Sequence, residues 1–310
     1  MTSNAIRPLA SADREGFVRL LARNFQPEDP AHFPASVAWK FFDRPEPGTV
    51  TSVFFDGGEP CGQYTSAAIG LSLFGVPSPG RQVLDMCVDV PYRGRGIVVA
   101  LADAAYAGIS GPYVSVGFSN AAGVRVDRGS VKYGYHVLGQ LSRIYVPHLP
   151  WASAAPRYRF SPVDAPAAEI PPPADACQVR RTPAYLRWRY VAKPGGECRL
   201  CEVFGPDGRC AGYVAFRVAG RRLTVLDCGF TPGFARGVAV LSDLARSLGC
   251  AYSYHCVLWN RRWRRFFRGV PRLRRPAPFF ATMKSSGHPA ALESRLADPE
   301  MWIFSLGDIQ

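Results

Sequence analysis

The sequence predicts an α/β protein built from two related halves, each a mixed β-sheet flanked by helices. Three observations lead to this prediction. A sequence pattern recurs at a fixed distance, a Pro- and Ala-rich segment lies between its two copies, and strand-like apolar runs alternate with helical patterns in each half. For the 310 residues we expect a first domain at 1–150, a linker at 151–178 and a second domain at 179–310.

The repeat is clearest in the pattern Pro-Ala-x-(Val/Leu)-x-Trp-(Lys/Arg)-aromatic. Residues 34–41 and 183–190 both carry it, 149 positions apart. At the same spacing, Cys61 and Tyr64 recur as Cys210 and Tyr213, and further pairs follow in order: Leu84-Asp85 with Leu226-Asp227, Asn120 with Asn260, and Gly134 with Gly269. Landmarks that recur in one order indicate a duplicated fold.

The segment between the copies is rich in proline and alanine. Residues 151–178 carry prolines at 156, 162, 166, 171, 172 and 173. This composition is typical of a semi-extended linker rather than a packed element.

The most informative segment of the first half is a strand, a Gly-rich turn and the start of a helix. The apolar run Val83 to Val90 ends at Pro91, Arg93-Gly-Arg-Gly96 follows, and an alanine-rich helical pattern starts at Ile97. A turn of this kind leaves backbone N–H groups unpaired at a helix N-terminus, where the dipole favours anions. The pattern therefore predicts a pyrophosphate site, and the alternative is an ordinary strand-to-helix turn.

The segment Arg93-Gly-Arg-Gly-Ile97 resembles the acyl-CoA-binding motif of the GNAT N-acyltransferase superfamily, although Val98 replaces its last small residue. The strand-like segment Tyr113–Asn120 and Lys132-Tyr-Gly-Tyr135 resemble the next two landmarks of that family. The tandem arrangement and the closing segment Trp302–Asp308 also resemble the FemX-like aminoacyltransferases.

The resemblance implies that the first half binds acetyl-CoA or another acyl-CoA. Its strand would hold the pantetheine arm, its turn the pyrophosphate, and an N–H near Asp89 would polarise the thioester carbonyl. The residues expected to contact the cofactor are Cys87, Val88, Asp89, Arg93, Gly94, Arg95, Gly96, Ile97, Val98 and Asn120.

The second half lacks the compact turn at 229–238. We expect it to be a degenerate copy that shapes the acceptor site.

The candidates for proton transfer are less well defined. Asp85 and Asp89 differ by four positions and so share one face of a strand, where they could act as a base through water or simply face solvent. Family members often place an acidic tyrosine four residues before the glycine that corresponds to Gly134. Here that position is Ser130, for which His136 or Tyr133 could substitute.

Composition excludes some classes of protein. No signal peptide or long apolar run is present, so we expect a soluble cytoplasmic protein. The nine cysteines include one isolated Cys198-x-x-Cys201, from which we expect no metal site. The net charge is +13, and 33 of the 37 cationic residues are arginine, an excess that favours anionic ligands.

An arginine-rich stretch, residues 259–275, carries much of this charge. Trp263, Phe266, Phe267 and Val270 have the spacing of a buried helical stripe, which leaves the arginines exposed. This surface is either an ordinary solvated face or a docking site for an acidic acyl carrier protein, a phosphorylated substrate or tRNA. Sequence-specific nucleic-acid binding is not expected, because the aromatic residues are predicted to be buried.

The sequence thus predicts an acyl-CoA-dependent N-acyltransferase that acts on a small-molecule primary amine, most simply by transferring an acetyl group. The resemblance suggests an amino sugar or a natural-product intermediate as the acceptor. Two alternatives remain open: transfer from an acyl carrier protein or aminoacyl-tRNA, and a non-catalytic regulator that binds acyl-CoA.

Overall fold

The computed structural model describes residues 5–120, 123, 134–148, 157–231 and 237–309. The chain forms two compact units. The first consists of residues 1–70, 79–117 and 284–288, and the second of residues 71–78, 118–283 and 289–310. These ranges differ from the domains expected at 1–150 and 179–310, because strands that follow residue 118 pair with strands of the second half.

The first unit is a sheet with helices on both faces. Its helices are α1 (Arg14–Phe25), α2 (Phe33–Phe41) and α3 (Ile97–Tyr106). Its strands are β1 (Ala5–Pro8), β2 (Val50–Asp56), β3 (Glu59–Leu73), β4 (Val76–Val88) and β5 (Tyr113–Asn120). Most residues of β3, β4 and β5 belong to this unit, and the remainder belong to the second. The strand order is β1-β2-β3-β4-β5. Strands β1, β2 and β3 are antiparallel neighbours, whereas β4 and β5 are parallel. Gly57 and Gly58 form the β2–β3 turn with φ of 59° and 90°, a conformation that glycine adopts without strain.

Alternating side chains of the first sheet form two apolar cores. Val53 and Phe55 pack with Phe17 of α1 and Val37 of α2. Phe54, between them in sequence, packs on the opposite face among residues of α3. Because successive side chains of a strand point to opposite faces, β2 serves both cores.

The second unit contains more strands. Its strands are β6 (His136–Pro147), β7 (Arg159–Pro162), β8 (Cys177–Val179), β9 (Arg199–Phe204), β10 (Cys210–Ala219), β11 (Arg222–Phe230), β12 (Tyr252–Leu258) and β13 (Leu273–Ser286), the last of which ends in the first unit. Its helices are α4 (Pro183–Leu186, continued by a π-helical turn at Arg187–Val191), α5 (Gly237–Ser247), α6 (Arg261–Phe266) and α7 (Ala290–Leu296). The strand order is β13-β6-β12-β11-β10-β9-β7, and β8 pairs with Leu71–Leu73 of β3.

The element order confirms the duplication. The first unit runs α2-β2-β3-β4-α3-β5, and the second runs α4-β9-β10-β11-α5-β12. Trp39 and Trp188, the aromatic residues of the repeated pattern, are both buried. Tyr64 and Tyr213 are buried on β3 and β10, which occupy the same place in the two series.

The segment predicted to be a linker contains two short strands. In β7, Arg159–Pro162 pairs with Cys201–Phe204 of β9, and β8 also lies in a ladder. The prediction of an unpacked linker at 151–178 is therefore wrong for these strands. Pro162 is accommodated because β7 is the last strand in the order and Pro162 is its last residue, a place where proline costs no ladder hydrogen bond.

The helices that the structure describes are short. The longest, α1, has 12 residues and extends for about 18 Å, well below the roughly 30 Å of a bilayer core. Within the described part of the chain, no helix is long and apolar enough to cross a membrane.

Candidate active site

Strands β4 and β5 separate toward their carboxyl ends. Their parallel ladder joins Gly80–Gln82 to Val114–Val116. Beyond it β4 continues to Val88, but the ladder with β5 does not continue among the described residues. Because both strands run in the same direction, the gap opens at their carboxyl ends, where α/β sheets commonly bind ligands.

A bulge in β4 lies at the start of this gap. Asp85 has φ of +39°, and Leu84 and Cys87, three positions apart, face the same core against α1 and α2. Regular alternation would place them on opposite faces, so one extra residue is inserted here.

The buried Gln63 side chain supports the bulge. Its amide donates a hydrogen bond of 3.2 Å to the Leu84 carbonyl and a second one to the Asp85 carbonyl. Its own oxygen accepts from the Thr65 hydroxyl at 2.8 Å. Gln63 is fully buried, and both ends of its amide are paired, as buried polar groups normally are.

The Gly-rich turn follows β4 directly. A 3-10 turn at Val90–Tyr92 leads to Gly94 and Gly96, with φ of 77° and 75°, and Gly96 caps the N-terminus of α3. No atom lies within 4 Å of the position that a Cβ would take at either glycine. Among the described residues, no group accepts a hydrogen bond from the N–H of Gly94 or Gly96. The turn therefore presents unpaired donors on an open surface at the positive end of a helix dipole.

Two arginines border the turn. Arg93 donates through Nε to the Val88 carbonyl at 2.8 Å and through a terminal nitrogen to Asn24 Oδ1 at 3.4 Å. The Arg95 guanidinium lies 5.5 Å from the centre of the Tyr92 ring. Neither arginine forms an ion pair with a carboxylate among the described residues, so both contribute positive charge for an anion.

The two predicted base candidates face α1 and α2. Lys40 Nζ of α2 lies 2.5 Å from Asp85 Oδ2. Arg23 of α1 donates to both carboxylate oxygens of Asp89, at 2.6 Å for the closest pair, and the Asn24 amide donates to Asp89 at 2.6 Å. Each carboxylate thus already has a cationic partner that the sequence did not reveal.

The backbone at the end of β4 requires one correction. We expected an unpaired N–H near Asp89, but the Asp89 N–H donates to the Cys61 carbonyl of β3 at 2.9 Å. The two strands still pair at this point, so this group cannot polarise a thioester. Successive backbone N–H groups of a strand point to opposite edges of that strand. Because the Asp89 N–H points toward β3, the Val88 N–H points toward β5.

Cys87 is buried in the core of the first unit. Burial raises the pKa of its thiol to about 12, and the neighbouring carboxylates of Asp85 and Asp89 act in the same direction. The thiol is therefore protonated at neutral pH and is not a nucleophile.

The remaining candidates lie farther along the chain. Asn120 ends β5, and its side-chain oxygen accepts from the Gly123 N–H at 2.8 Å, as expected for a strand-end cap. His136 is the exposed first residue of β6. Ser130 and Tyr133 lie outside the described residues. The roles of Asn120, Ser130 and His136 remain predictions.

In the second unit, the equivalent gap is occupied by the chain itself. The β11–β12 ladder joins only Arg222–Thr224 to Tyr252–Tyr254. The closing segment, residues 302–308, approaches both strands beyond that point: Leu258 N–H of β12 donates to the Phe304 carbonyl at 3.3 Å, and the Ser305 hydroxyl donates to Asp227 of β11 at 3.4 Å.

A buried ionic cluster fixes this closing segment. Arg181 donates to Asp227 at 2.5 Å and to Asp308 at 2.7 Å, and the Tyr190 hydroxyl donates to Asp227 at 3.0 Å. Burial raises the pKa of Asp227, and the Arg181 charge opposes that shift. Arg189 donates to the Gly307 carbonyl at 2.8 Å. The C-terminal segment is thus bound into the second sheet by charge as well as packing.

The arginine-rich stretch adopts the predicted arrangement. Trp263 and Phe267 are buried in one apolar cluster with Ile144 and Val257. The exposed residues of this surface are Arg261, Arg264, Arg265, Arg268, Arg272, Arg274 and Arg275. All nine cysteines are free thiols, and the described residues contain no group of three or more His, Cys, Asp or Glu that could hold a metal ion.

Comparison with known proteins agrees with this geometry. Residues 5–123 match the model of an acetyltransferase (GNAT) domain. This part of the chain is therefore a GNAT domain, and its matched region contains the separated strands and the Gly-rich turn. No curated protein matches the sequence significantly.

Solved structures extend the likeness to both units. A GCN5-related N-acetyltransferase from Anabaena variabilis is 12% identical, with a TM-score of 0.65 over 91% of this chain and 72% of that chain. A tandem GNAT protein from the clavulanic acid biosynthesis pathway is 13% identical, with a TM-score of 0.53 over 93% of this chain and 100% of that chain. A glucosamine N-acetyltransferase region of a fungal multi-domain β-N-acetylglucosaminidase is 12% identical, with a TM-score of 0.54 over 91% of this chain and 38% of that chain.

Residues 5–123 thus form a GNAT domain, and the chain as a whole shares its fold with solved GNAT structures, one of them a tandem GNAT protein, with a mixed sheet in each unit. The likeness to FemX-like aminoacyltransferases is not confirmed by these comparisons.

Proposed function

We propose that the protein is an acyl-CoA-dependent N-acyltransferase whose donor site lies between β4 and α3, with acetyl-CoA as the expected donor. The observation that carries the proposal is the turn at Arg93–Val98. The N–H groups of Gly94 and Gly96 have no acceptor among the described residues, the glycines leave room for a close approach, and the two arginines carry no carboxylate partner among the described residues. These are the properties that a pyrophosphate requires.

The gap beside β4 suits the rest of the donor. An acyl-CoA supplies a thioester whose carbonyl carbon is open to attack by an amine. The end of β4 from Cys87 to Asp89 would hold the pantetheine arm, and Asn120 at the end of β5 would contact it. The Val88 N–H, directed toward β5, replaces Asp89 as our candidate donor to the carbonyl oxygen. The buried Cys87 thiol favours direct transfer to the amine over a covalent intermediate on the protein.

Proton transfer is assigned to the remaining candidates. Asp85 or Asp89 would accept the amine proton through water, and Ser130 or His136 would return a proton to the thiolate. Asp85 is our first choice, because it lies at the bulge where the two strands separate.

The acceptor is proposed to be a primary amine of an amino sugar or a natural-product intermediate. Similar folds support both classes, since one belongs to a glucosamine N-acetyltransferase region and another to a clavulanic acid pathway protein. We propose further that the second unit is a degenerate copy that shapes the acceptor site. The closing segment supports this, because it lies between β11 and β12 where a second pantetheine arm would otherwise enter.

Acetyl-CoA binding and turnover test the proposal together. Calorimetric titration should show acetyl-CoA binding, and incubation with glucosamine and a panel of aliphatic amines should release free thiol in proportion to acylated amine. Binding without thiol release for any amine would support a non-catalytic regulator instead.

The exposed arginine surface favours one second candidate, transfer from an acidic acyl carrier protein or aminoacyl-tRNA. Seven arginines of residues 261–275 are exposed, and an acidic carrier would be attracted to them. If acetyl-CoA neither binds nor reacts whereas an acyl-carrier thioester reacts, the donor assignment is wrong and this candidate replaces it.

A further inference from the structure

The second unit contains a cavity of about 270 Å³ beside the closing segment. The polar residues of its lining are Gln178, Arg181, Tyr213, Asp227 and Ser305. Its walls are largely apolar and are formed by Ile170, Pro171, Pro173, Phe230, Trp263 and Ile303. In liquid water each molecule takes up about 30 Å³. By this measure the cavity has room for a molecule of roughly ten non-hydrogen atoms.

Two buried hydrogen-bonding groups in the lining of this cavity lack a partner among the described residues. Tyr213 is 1% exposed, and its hydroxyl makes no hydrogen bond with any described residue. Trp263 is 8% exposed, and its indole N–H likewise has no acceptor within the described part of the chain. Buried polar groups in folded proteins are normally paired, because an unpaired one costs about 1–3 kcal/mol. Two such groups in the lining of one cavity therefore indicate a ligand that bonds to them.

The ionic residues of the lining indicate the charge of the ligand. The Arg181 guanidinium is bound by Asp227 and Asp308, and Asp227 also accepts from Tyr190 and from the Cys228 N–H at 2.9 Å. These ionic groups are satisfied by one another, so a charged ligand would find no unpaired group of opposite charge here. The lining groups without a partner among the described residues are the Tyr213 hydroxyl, the Trp263 indole N–H and the Gln178 amide, all of them neutral, so a neutral ligand with an acceptor oxygen fits the lining best.

We propose that this cavity is a second small-molecule site, which takes an uncharged carbonyl compound such as an amide, with its oxygen toward Tyr213 and Trp263 and its apolar part against the walls. The cavity belongs to the second unit and the Gly-rich turn to the first, and the proposal does not depend on acyl transfer at the turn.

The test uses N-benzylacetamide as the neutral probe, with benzylammonium and phenylacetate as charged counterparts of similar size. Saturation-transfer NMR on the full chain should detect the amide with a Kd of about 1 mM or tighter and show much weaker binding of both ions. Tyr213→Phe should weaken amide binding by about 2- to 10-fold, the effect of one lost hydrogen bond. Ile170→Trp should abolish it by filling the cavity.

Tyr145→Phe, which removes a hydroxyl from β6 away from this cavity, is the matched control and should bind the amide normally. Unfolding curves establish whether each variant is folded. If Ile170→Trp does not fold, amide binding by Tyr213→Phe alone tests the proposal. The proposal is overturned if wild-type protein does not bind the amide, if the ions bind equally well, or if Tyr213→Phe binds like wild type.

Discussion

Lys40 Nζ lies 2.5 Å from Asp85 Oδ2, so the carboxylate singled out as a base forms an ion pair with α2. The second copy preserves the positions but changes the partners. Arg189, the counterpart of Lys40, donates to the Gly307 carbonyl, while Asp227, the counterpart of Asp85, is held by Arg181. The same strand position thus serves a candidate reaction site in one unit and a structural cluster in the other.

The role of Asp85 can be separated from that of its ion pair. Asp85→Asn removes the proton acceptor, and if Asp85 is the base, kcat should fall about 100-fold with little change in acetyl-CoA affinity. Lys40→Met breaks the same ion pair but keeps the carboxylate, so its loss of kcat should be far smaller. Steady-state kinetics with one amine acceptor across pH measure both. Equal losses in the two variants would mean that the pair is structural and that the base lies elsewhere.

The Gly-rich turn provides a second prediction. Gly96→Val should lower acetyl-CoA affinity by about 10-fold or more, because a β-branched residue is strained at φ of 75° and would disturb the unpaired N–H groups. Gly208→Val is the matched control, since Gly208 has the same φ and also has no atom within 4 Å of its Cβ position. Both variants should lose similar stability, but only Gly96→Val should lose binding by calorimetry. Unchanged binding in Gly96→Val would remove the turn from the donor site.

The buried cluster of the second unit provides a third prediction. Arg181→Met leaves Asp227 and Asp308 without their common cation and should lower the free energy of unfolding by about 3–5 kcal/mol. Arg180→Met, next in the chain, removes only a half-exposed pair with Glu169 and should cost at most about 1 kcal/mol.

Urea unfolding of the full chain compares these two variants. Adding Asp308→Asn to Arg181→Met should recover part of the loss, because one uncompensated carboxylate is removed. Equal midpoints for Arg180→Met and Arg181→Met would contradict the importance of the cluster.

Local features of the site could be predicted from the sequence, whereas its long-range contacts could not. The turn at Arg93–Gly96 and the buried Trp263 stripe each depend on spacing within a few residues, and both are present in the structure. Lys40 and Asp85 are 45 residues apart, and Arg181 and Asp308 are 127 apart. Only the packing of separate elements brings such groups together, so no local pattern reports them. Gln63 was missed for the same reason, because its acceptors belong to the next strand.

Two buried histidines of the second unit make its stability depend on pH. Burial lowers the pKa of His148 to about 4, with a further contribution from the Arg246 charge, and it lowers the pKa of His255 to about 3. The His148 Nε2 has no hydrogen-bond partner among the described residues, and the His255 Nε2 lies 3.0 Å from the Ser253 hydroxyl. Both side chains are therefore held neutral in the folded protein.

The sign of the effect follows from where the protons bind. Below the unfolded pKa of about 6.5, the unfolded chain takes up protons that the folded one does not, so the free energy of unfolding falls as the pH decreases toward 4. We expect a loss on the order of 4 kcal/mol between pH 7.5 and 5, about 2 kcal/mol from each histidine, measured by urea unfolding. His148→Gln, which cannot titrate, should flatten that part of the profile. A profile that is equally steep in His148→Gln would show that His148 does not cause the acid sensitivity.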